Sequence, residues 1–344
     1  MATVNGKRNI LSLNIEELKQ LVSDLGEASF RAKQIFSWIS KGVTSYDEMT
    51  NVPAKLREEL DKSFYLGLPN IINRQVSKDG TIKVLFEMAD GVRVESVLMR
   101  YSYGNSICIS SQAGCRMGCT FCATAIGGLE RNLSSGEMLG EVLAMKNLIG
   151  ERINHIVVMG MGEPFDNYDN LAGFLKLIND KDGYSLSMRD ITVSTCGIVP
   201  MIERFGDEFK QVNLAISLHA PNDEIRCKTM PIAKAYKYDE LISACRKYTE
   251  KTGRRITFEY ALINGVNDTL DCADQLSKHM KGWLTHINLI PLNEVKDNSY
   301  SASSQDNIEA FKARLEAANV TVTVRRTLGT DINAACGQLR NSSR

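Results

Sequence analysis

Residues 106–128 read SICISSQAGCRMGCTFCATAIGG, an apolar run that reads as a strand at 106–110 followed by a glycine-flanked loop carrying Cys115, Cys119 and Cys122 at C-x-x-x-C-x-x-C spacing. Three soft ligands on one short loop call for a metal rather than for packing. A closed tetrahedral zinc site needs a fourth Cys or His, and none follows within the next thirty residues. An iron–sulfur cubane with one iron left open needs only three. The loop therefore reads as a cluster site with a vacant coordination position.

Downstream, strand and helix alternate. A helix opened by Ser134, with Glu137 three residues on, carries a capping-box signature. HIVVMGM (155–161), DITVST (190–195), NLAISLHA (213–220), ITFEYALI (256–263) and HINLIPL (286–292) are strand-like, and each precedes a helical stretch: from about Asp169, from Val199, across 222–252, at 270–281 and at 305–318. VTVTVRR ends the count at 320–326. Six mostly apolar strands, each followed by a helix, describe an α/β fold whose parallel sheet is buried on both faces. In such folds functional groups gather where the strands end at their carboxyl side. The cysteine loop, GMGEP at 160–164, Ser194 to Gly197, Ser217 to His219 and Pro291 to Asn293 all fall there, which points to one shared site. Glu163 is a candidate acceptor for an amine. The G-x-G fragment lacks the remaining glycines and the lysine of a phosphate loop. A lone histidine such as His219 is more often a structural hydrogen bonder, and His155, His279 and His286 read as structural.

Upstream, NIEELKQLVSDLG, FRAKQIFSWIS and AKLREELDKSF make three helices, the first with Asn14 as N-cap and Gly26 as its stop. They form a small module that covers one end of the larger unit or touches RNA with its basic residues. From Ile71 the period changes to two, and IINRQVS, TIKVLFEM and RVESVLMR, separated by Asp79-Gly80 and Asp90-Gly91, predict an antiparallel meander. Glu95, on its third strand, reads by itself as a solvated or paired surface group.

A hydrophobic content of 43% and a charged content of 24% are those of a globular chain. Basic and acidic residues are equal at 41 each, so a nucleic-acid partner has to be met by a local patch. No apolar run approaches the length of a membrane span and the N-terminus lacks the apolar core of a signal peptide, so a cytoplasmic protein without membrane contact is expected. Nine cysteines suit metal binding and catalysis in a reducing compartment better than a disulfide framework.

The cysteine loop, the GMGEP turn and the six strand–helix units resemble the radical S-adenosylmethionine enzymes, whose fold is a partial (β/α)6 barrel of the TIM type. More narrowly, SICISSQAGC, RNLSSGE, SLHAPNDEIR, NLIPLN and DINAACGQLR resemble the RlmN/Cfr family of RNA methyltransferases. The resemblance implies a helical accessory domain at 1–68, an antiparallel β extension at 69–100, a (β/α)6 core at 101–330 and a C-terminal segment at 331–344. It implies that Cys115, Cys119 and Cys122 hold one [4Fe-4S] cluster, and that Gly162, Glu163, Ser194, Ser217, Leu218, His219 and Asn293 hold S-adenosylmethionine. By the same resemblance, Cys336 matches the thiol that takes a methyl group and carries it to the adenine ring, Cys108 matches the thiol that resolves the covalent adduct through a transient disulfide, and Glu95 matches the acceptor of the ring proton. Cys196, Cys227, Cys245 and Cys272 match no catalytic position. The implied substrates are an adenosine of the peptidyl-transferase loop of 23S rRNA and the adenosine 3′ of the anticodon in tRNA, methylated at carbon 2 by a monomer. A flavodoxin-type one-electron reductant and a disulfide reductant are the implied protein partners. Arg116, Arg131, Arg325, Arg326 and Arg340 are candidate phosphate contacts. Pro164 and the PLN at 291–293 look more like the carbon-2 group than the Cfr group, which methylates carbon 8. A non-enzymatic iron–sulfur or zinc RNA-binding module is the alternative of another class.

Overall fold

The computed structural model describes residues 3–293 and 299–339. Strands β1 (Thr3–Val4) and β2 (Lys7–Asn9) lead into helices α1 (Ile15–Asp24), α2 (Phe30–Ile39) and α3 (Ala54–Ser63), after which β3 (Phe64–Tyr65) returns beside β2. Helix α1 starts where the sequence predicts. The Asn14 side chain accepts the N–H groups of Glu16 and Glu17, and the Glu17 carboxylate accepts the Asn14 N–H. Leu18, Val22, Ile35, Phe36, Leu56 and Leu60 are buried at helical spacing and form the inner face of this module.

The meander follows as β4 (Asn70–Val76), β5 (Ile82–Glu87) and β6 (Arg93–Tyr101), turned at Asp79-Gly80 and Asp90-Gly91 with φ of 85° and 86° at the glycines. β6 then pairs antiparallel with β7 (Gly104–Ile109), the strand that precedes the cysteine loop. After β7 come β8 (Gln112–Gly114), β9 (Leu129–Asn132), α4 (Ser135–Ile149), β10 (His155–Val158), α5 (Tyr168–Asn179), β11 (Ile191–Thr195), α6 (Val199–Glu208), β12 (Asn213–Ser217), α7 (Asp223–Thr229), α8 (Tyr238–Thr252), β13 (Ile256–Leu262), α9 (Leu270–Met280), β14 (Thr285–Pro291), α10 (Gln305–Ala317) and β15 (Val322–Val324). Ten strands form one sheet in the order β15-β14-β13-β12-β11-β10-β7-β6-β5-β4, parallel from β15 to β7 and antiparallel from β7 to β4. Strands β10 and β12 end earlier than the sequence pattern suggests. The backbone leaves the ladder at Met159 and Leu218, because GMGEP folds back on β7 and His219 adopts a φ of 53°.

The chain after β15 shows that this sheet curves. Gly329 N–H donates to Asp79 (2.8 Å), Asp331 accepts from Ser77 Oγ (2.5 Å) and from Lys78 N–H (3.2 Å), and Lys83 Nζ donates to the Asn333 carbonyl (3.2 Å). In a flat sheet the eight steps from β15 to β5 would span about 38 Å at ~4.8 Å each. The five residues from Val324 to Gly329 reach about 18 Å at most. The sheet is therefore wound into a partial barrel whose open side is bridged by the C-terminal segment. Among the described residues no helix is long and apolar enough to cross a membrane.

One carboxyl group sits deep behind the barrel wall. Glu141 of α4 is fully buried; it accepts from Ser96 Oγ and from Ser110 N–H, while its Oε1 has no partner. Burial pushes its pKa up to about 8, so the folded chain keeps a proton that the unfolded chain gives up above its ordinary value near 4.5. The unfolded state thus binds fewer protons between those limits, and stability falls as pH rises through that window. Glu141→Gln, which keeps the shape without the ionisation, is expected to gain on the wild type by about 1 kcal/mol or more between pH 5 and pH 8. Denaturant titrations at the two pH values measure this, and a constant difference between the two chains would refute it.

Candidate active site

The cysteine loop is closed at its base by strands the sequence reading did not foresee. β8 and β9 pair as a two-stranded clasp, and Cys115 N–H donates to the Gly128 carbonyl (2.9 Å). Gly114 has a φ of 75°, and a Cβ there would lie 1.9 Å from the Gly128 oxygen, so only glycine fits. Between its cysteines the loop is tied to the end of α7 by Thr120 N–H to Thr229 O (2.9 Å). Beyond them it is tied to the C-terminal segment by Ala123 N–H to Gly337 O (2.8 Å) and Thr124 Oγ1 to Leu339 O (2.7 Å). Cys115, Cys119 and Cys122 are free, partly buried thiols on the wall of one cleft of about 1060 Å³. Burial pushes Cys115 up to about 12, against a hydrogen bond from the Met117 backbone, and pushes Cys119 higher still, so metal binding at these sulfurs has to displace protons. Among the described residues no three His, Cys, Asp or Glu side chains gather closely enough to hold a single ion. Three soft thiols on one loop of the cleft are the donor set that an iron–sulfur cluster with one open iron takes.

The strand ends supply the opposite wall. Gly160 and Gly162 are glycines because the chain passes so close to β7 and β8. A Cβ would lie 2.7 Å from Ile109 O at the first and 2.6 Å from Gln112 Cβ at the second, where φ is 102°. Both still line the cleft. Glu163 is buried, its carboxylate accepting Thr195 Oγ1 (2.6 Å), Cys196 N–H (2.7 Å) and Phe165 N–H (2.9 Å). It thereby locks the end of β10 to the end of β11. Ser194 and Ser217 face each other across β11 and β12, their hydroxyls 3.4 Å apart. His219 Nδ1 accepts the Ala261 N–H (2.8 Å), and burial lowers its pKa to about 3, so the ring is neutral. Leu218 departs from expectation. It is fully buried and is absent from the cleft wall, and its carbonyl accepts Arg226 Nε (3.3 Å). Asn293 donates to the Cys336 carbonyl (3.1 Å).

Cys108 and Cys336, far apart in sequence, line a second cavity together with Tyr101, Met159, Asn293 and Arg325, and Cys336 lines the cleft of the cysteine loop as well. Burial and then the charge of Cys336 push the Cys108 thiol up to about 12. Arg325 is not a phosphate contact at the mouth. It stands inside both cavities, where the negative charge of Cys336, and behind it that of Glu259, hold its guanidinium charged against burial. The other arginines are also engaged: Arg116 pairs with Asp166, and Arg131 with Asp90 (2.7 Å) and Glu137 (2.8 Å). Arg326 is exposed, and Arg340 lies outside the described residues. Glu95 is not solvated. It is buried and paired with Lys83 Nζ (3.2 Å) on the face of β6 that carries Val97, which stands opposite Cys108.

Sequence reasoning passed over Lys83, Cys196, Glu259 and the structural use of Arg325. Glu259 had a signal, a carboxylate inside the apolar strand ITFEYALI. It is buried in the cleft wall and held by Asn288 Nδ2 (2.8 Å). Cys196 lines the cleft, while Cys245 and Cys272 are core residues and Cys227 is half-buried.

Gly114→Ala tests the clasp. Positive φ and the collision with Gly128 O are expected to cost about 1–3 kcal/mol, concentrated at the loop. Iron bound per chain after anaerobic reconstitution should drop several-fold while the far-ultraviolet circular dichroism is kept; undiminished iron would contradict the role given to this turn.

Residues 109–273 match the Radical SAM superfamily, and residues 8–66 match the ribosomal RNA large subunit methyltransferase N-terminal domain. The chain is 52% identical over 337 residues to a probable dual-specificity RNA methyltransferase RlmN of Clostridium novyi, covering 97% of this chain and 98% of that one. It is 51% identical over 340 residues to the protein so described in Geobacillus thermodenitrificans, covering 98% and 93%. The crystal structure of a radical SAM methyltransferase from Sphaerobacter thermophilus superposes with a TM-score of 0.94 at 42% identity, covering 97% of this chain and 99% of that one. On identity over nearly the whole length, and on a fold and cysteine loop that agree with it, the chain belongs to the RlmN family of dual-specificity RNA methyltransferases within the radical SAM superfamily.

Proposed function

We propose that this enzyme methylates carbon 2 of adenosine in 23S rRNA and tRNA, with Cys336 as methyl carrier. The observation that carries the reading is the position of Cys336, which alone of the two outlying thiols lines both the cleft of the cysteine loop and the cavity of Cys108. Carbon 2 of adenine is an electron-poor ring carbon and does not attack a sulfonium methyl directly. When bound at Cys115, Cys119 and Cys122, a [4Fe-4S] cluster with S-adenosylmethionine supplies the one-electron chemistry such a carbon requires. The chain's own residues bind, orient and move protons. Ser194, Ser217 and Asn293 present hydroxyl and amide groups to the cofactor cleft, and Glu163 keeps its floor rigid. Cys336 takes up the methyl group as a thiolate nucleophile, with Arg325 stabilising that charge. Glu95, set beside Lys83, receives the proton that leaves the ring. Cys108 then joins Cys336 in a disulfide as the methylated base departs, and an external thiol reductant restores both. Both substrates are loop bases, which a protein can splay out of the stack.

Methylation of carbon 8, the Cfr reaction, is separated by mass mapping of the modified nucleotide. Methylation at carbon 2 is expected, and a methyl group found only at carbon 8 overturns the choice. In the same anaerobic assay Cys108→Ala should accumulate protein crosslinked to RNA, whereas Cys336→Ala should give neither crosslink nor product. A fully active Cys336→Ala protein would remove the carrier from the account.

A further inference from the structure

Arg226 is the largest fully buried side chain among the described residues, at 0% exposure. It sits on α7 behind the ends of β11 and β12, where Nη2 donates to the Cys196 carbonyl (2.6 Å) and Nε to the Leu218 carbonyl (3.3 Å). Its Nη1 has no hydrogen-bond partner, and among the described residues it makes no ion pair with a carboxylate; Asp223, one turn earlier, acts on it only at longer range. A fully desolvated cation held only by neutral carbonyls is costly unless a negative charge arrives to offset it.

The groups that would bring that charge lie on the cysteine loop. Helix α7 is bonded to the loop through Thr229 O, which accepts both Thr120 N–H (2.9 Å) and Thr120 Oγ1 (3.4 Å), the residue directly after Cys119. The guanidinium holds the carbonyl of Cys196 (2.6 Å), and Cys196 lines the same cleft as Cys119. Three thiolates around a [4Fe-4S] core leave a net charge of about −1 when the core is oxidised and about −2 when it is reduced by one electron. A fixed positive charge behind the loop therefore favours the reduced form.

We infer that Arg226 is a positioning charge for the cluster, a buried cation behind Cys119 that raises the reduction potential of the iron–sulfur centre. The inference rests on the cluster reading of Cys115, Cys119 and Cys122 and adds to it the group that sets how readily the centre accepts its electron.

The test is a spectroelectrochemical titration of the reconstituted full chain, with iron and sulfide counted in each sample. Wild type, Arg226→Lys and Arg226→Met are compared. In the Met variant the equilibrium constant for reduction should fall about tenfold, a shift of about 59 mV to more negative potential for one electron. In the Lys variant it should stay near wild type. Should the Met chain fail to fold, Arg226→Gln keeps N–H groups for the carbonyls and drops the charge, and the same negative shift is expected. An unchanged potential in the neutral variants, or a Lys variant shifted as far as Met, overturns the role of the charge. A wild-type chain that takes up no iron and sulfide overturns the cluster reading itself, and the role of Arg226 with it; that outcome shows in the metal count before any potential is measured.

Discussion

Four hydrogen bonds between the β4–β5 hairpin and the segment 329–333 govern where the chemistry of this protein can take place. They join opposite edges of a ten-stranded sheet through a segment too short to span it flat, so the sheet has to curve, and curvature turns its strand ends toward one cleft. Burial does not weaken these contacts evenly. Asp79 holds its proton less tightly than usual, at about 2, because hydrogen bonds from Gly329, Thr81 and Ser77 outweigh its desolvation. An acceptor that ionised keeps its donors across the physiological range. The hairpin, which the sequence suggests is a mere extension, is thus the anchor that carries Cys336 from the far end of the chain to a place beside Cys108.

The site inside this frame is assembled from groups that are expensive to bury, and each is offset differently. Glu163 keeps three donors and acts as a strut between two strand ends. Glu259 has Asn288 and the charge of Arg325. Lys83 serves Glu95 and the Asn333 carbonyl together, so one ammonium ties the candidate proton acceptor to the segment that bears Cys336. A half-satisfied buried network is less stable than an apolar wall, and these pairings explain how so many charges share one cleft.

What the sequence disclosed was local. The cysteine spacing, the Asn14 and Ser134 caps, the Asp-Gly turns and the strand–helix alternation each depend on neighbours within a few residues, and all appear in the structure. What it hid depended on distant contacts. Nothing adjacent to Glu95 indicates Lys83, which reaches it across the β5–β6 pair. Arg325 and Arg326 are consecutive and follow β15, yet the first is half-buried and lines both cavities, while the second is exposed and lines only the cavity of Cys108. The clasp of β8 and β9 consists of three and four residues, too few for any period to show. Leu218 sits at a strand end between Ser217 and His219, yet it is fully buried in the core.

The fixing of the backbone around Cys336 limits how a single sulfur can serve two cavities. Asn293 holds the Cys336 carbonyl, Ala123 holds that of Gly337 and Thr124 that of Leu339, while Gln338 N–H returns to Ala335. With the main chain bonded on both sides, the freedom that remains at this position is the side-chain torsion of the cysteine, which has three staggered settings. Met159, Ile290, Asn293, Arg325 and Leu339 line both cavities along with it, so the sulfur lies at their common wall. Arg325 stands at the same wall, so its charge lies beside the sulfur whichever cavity it faces. A loop that had to travel would lose that counter-charge on the way; a fixed loop with a turning side chain retains it.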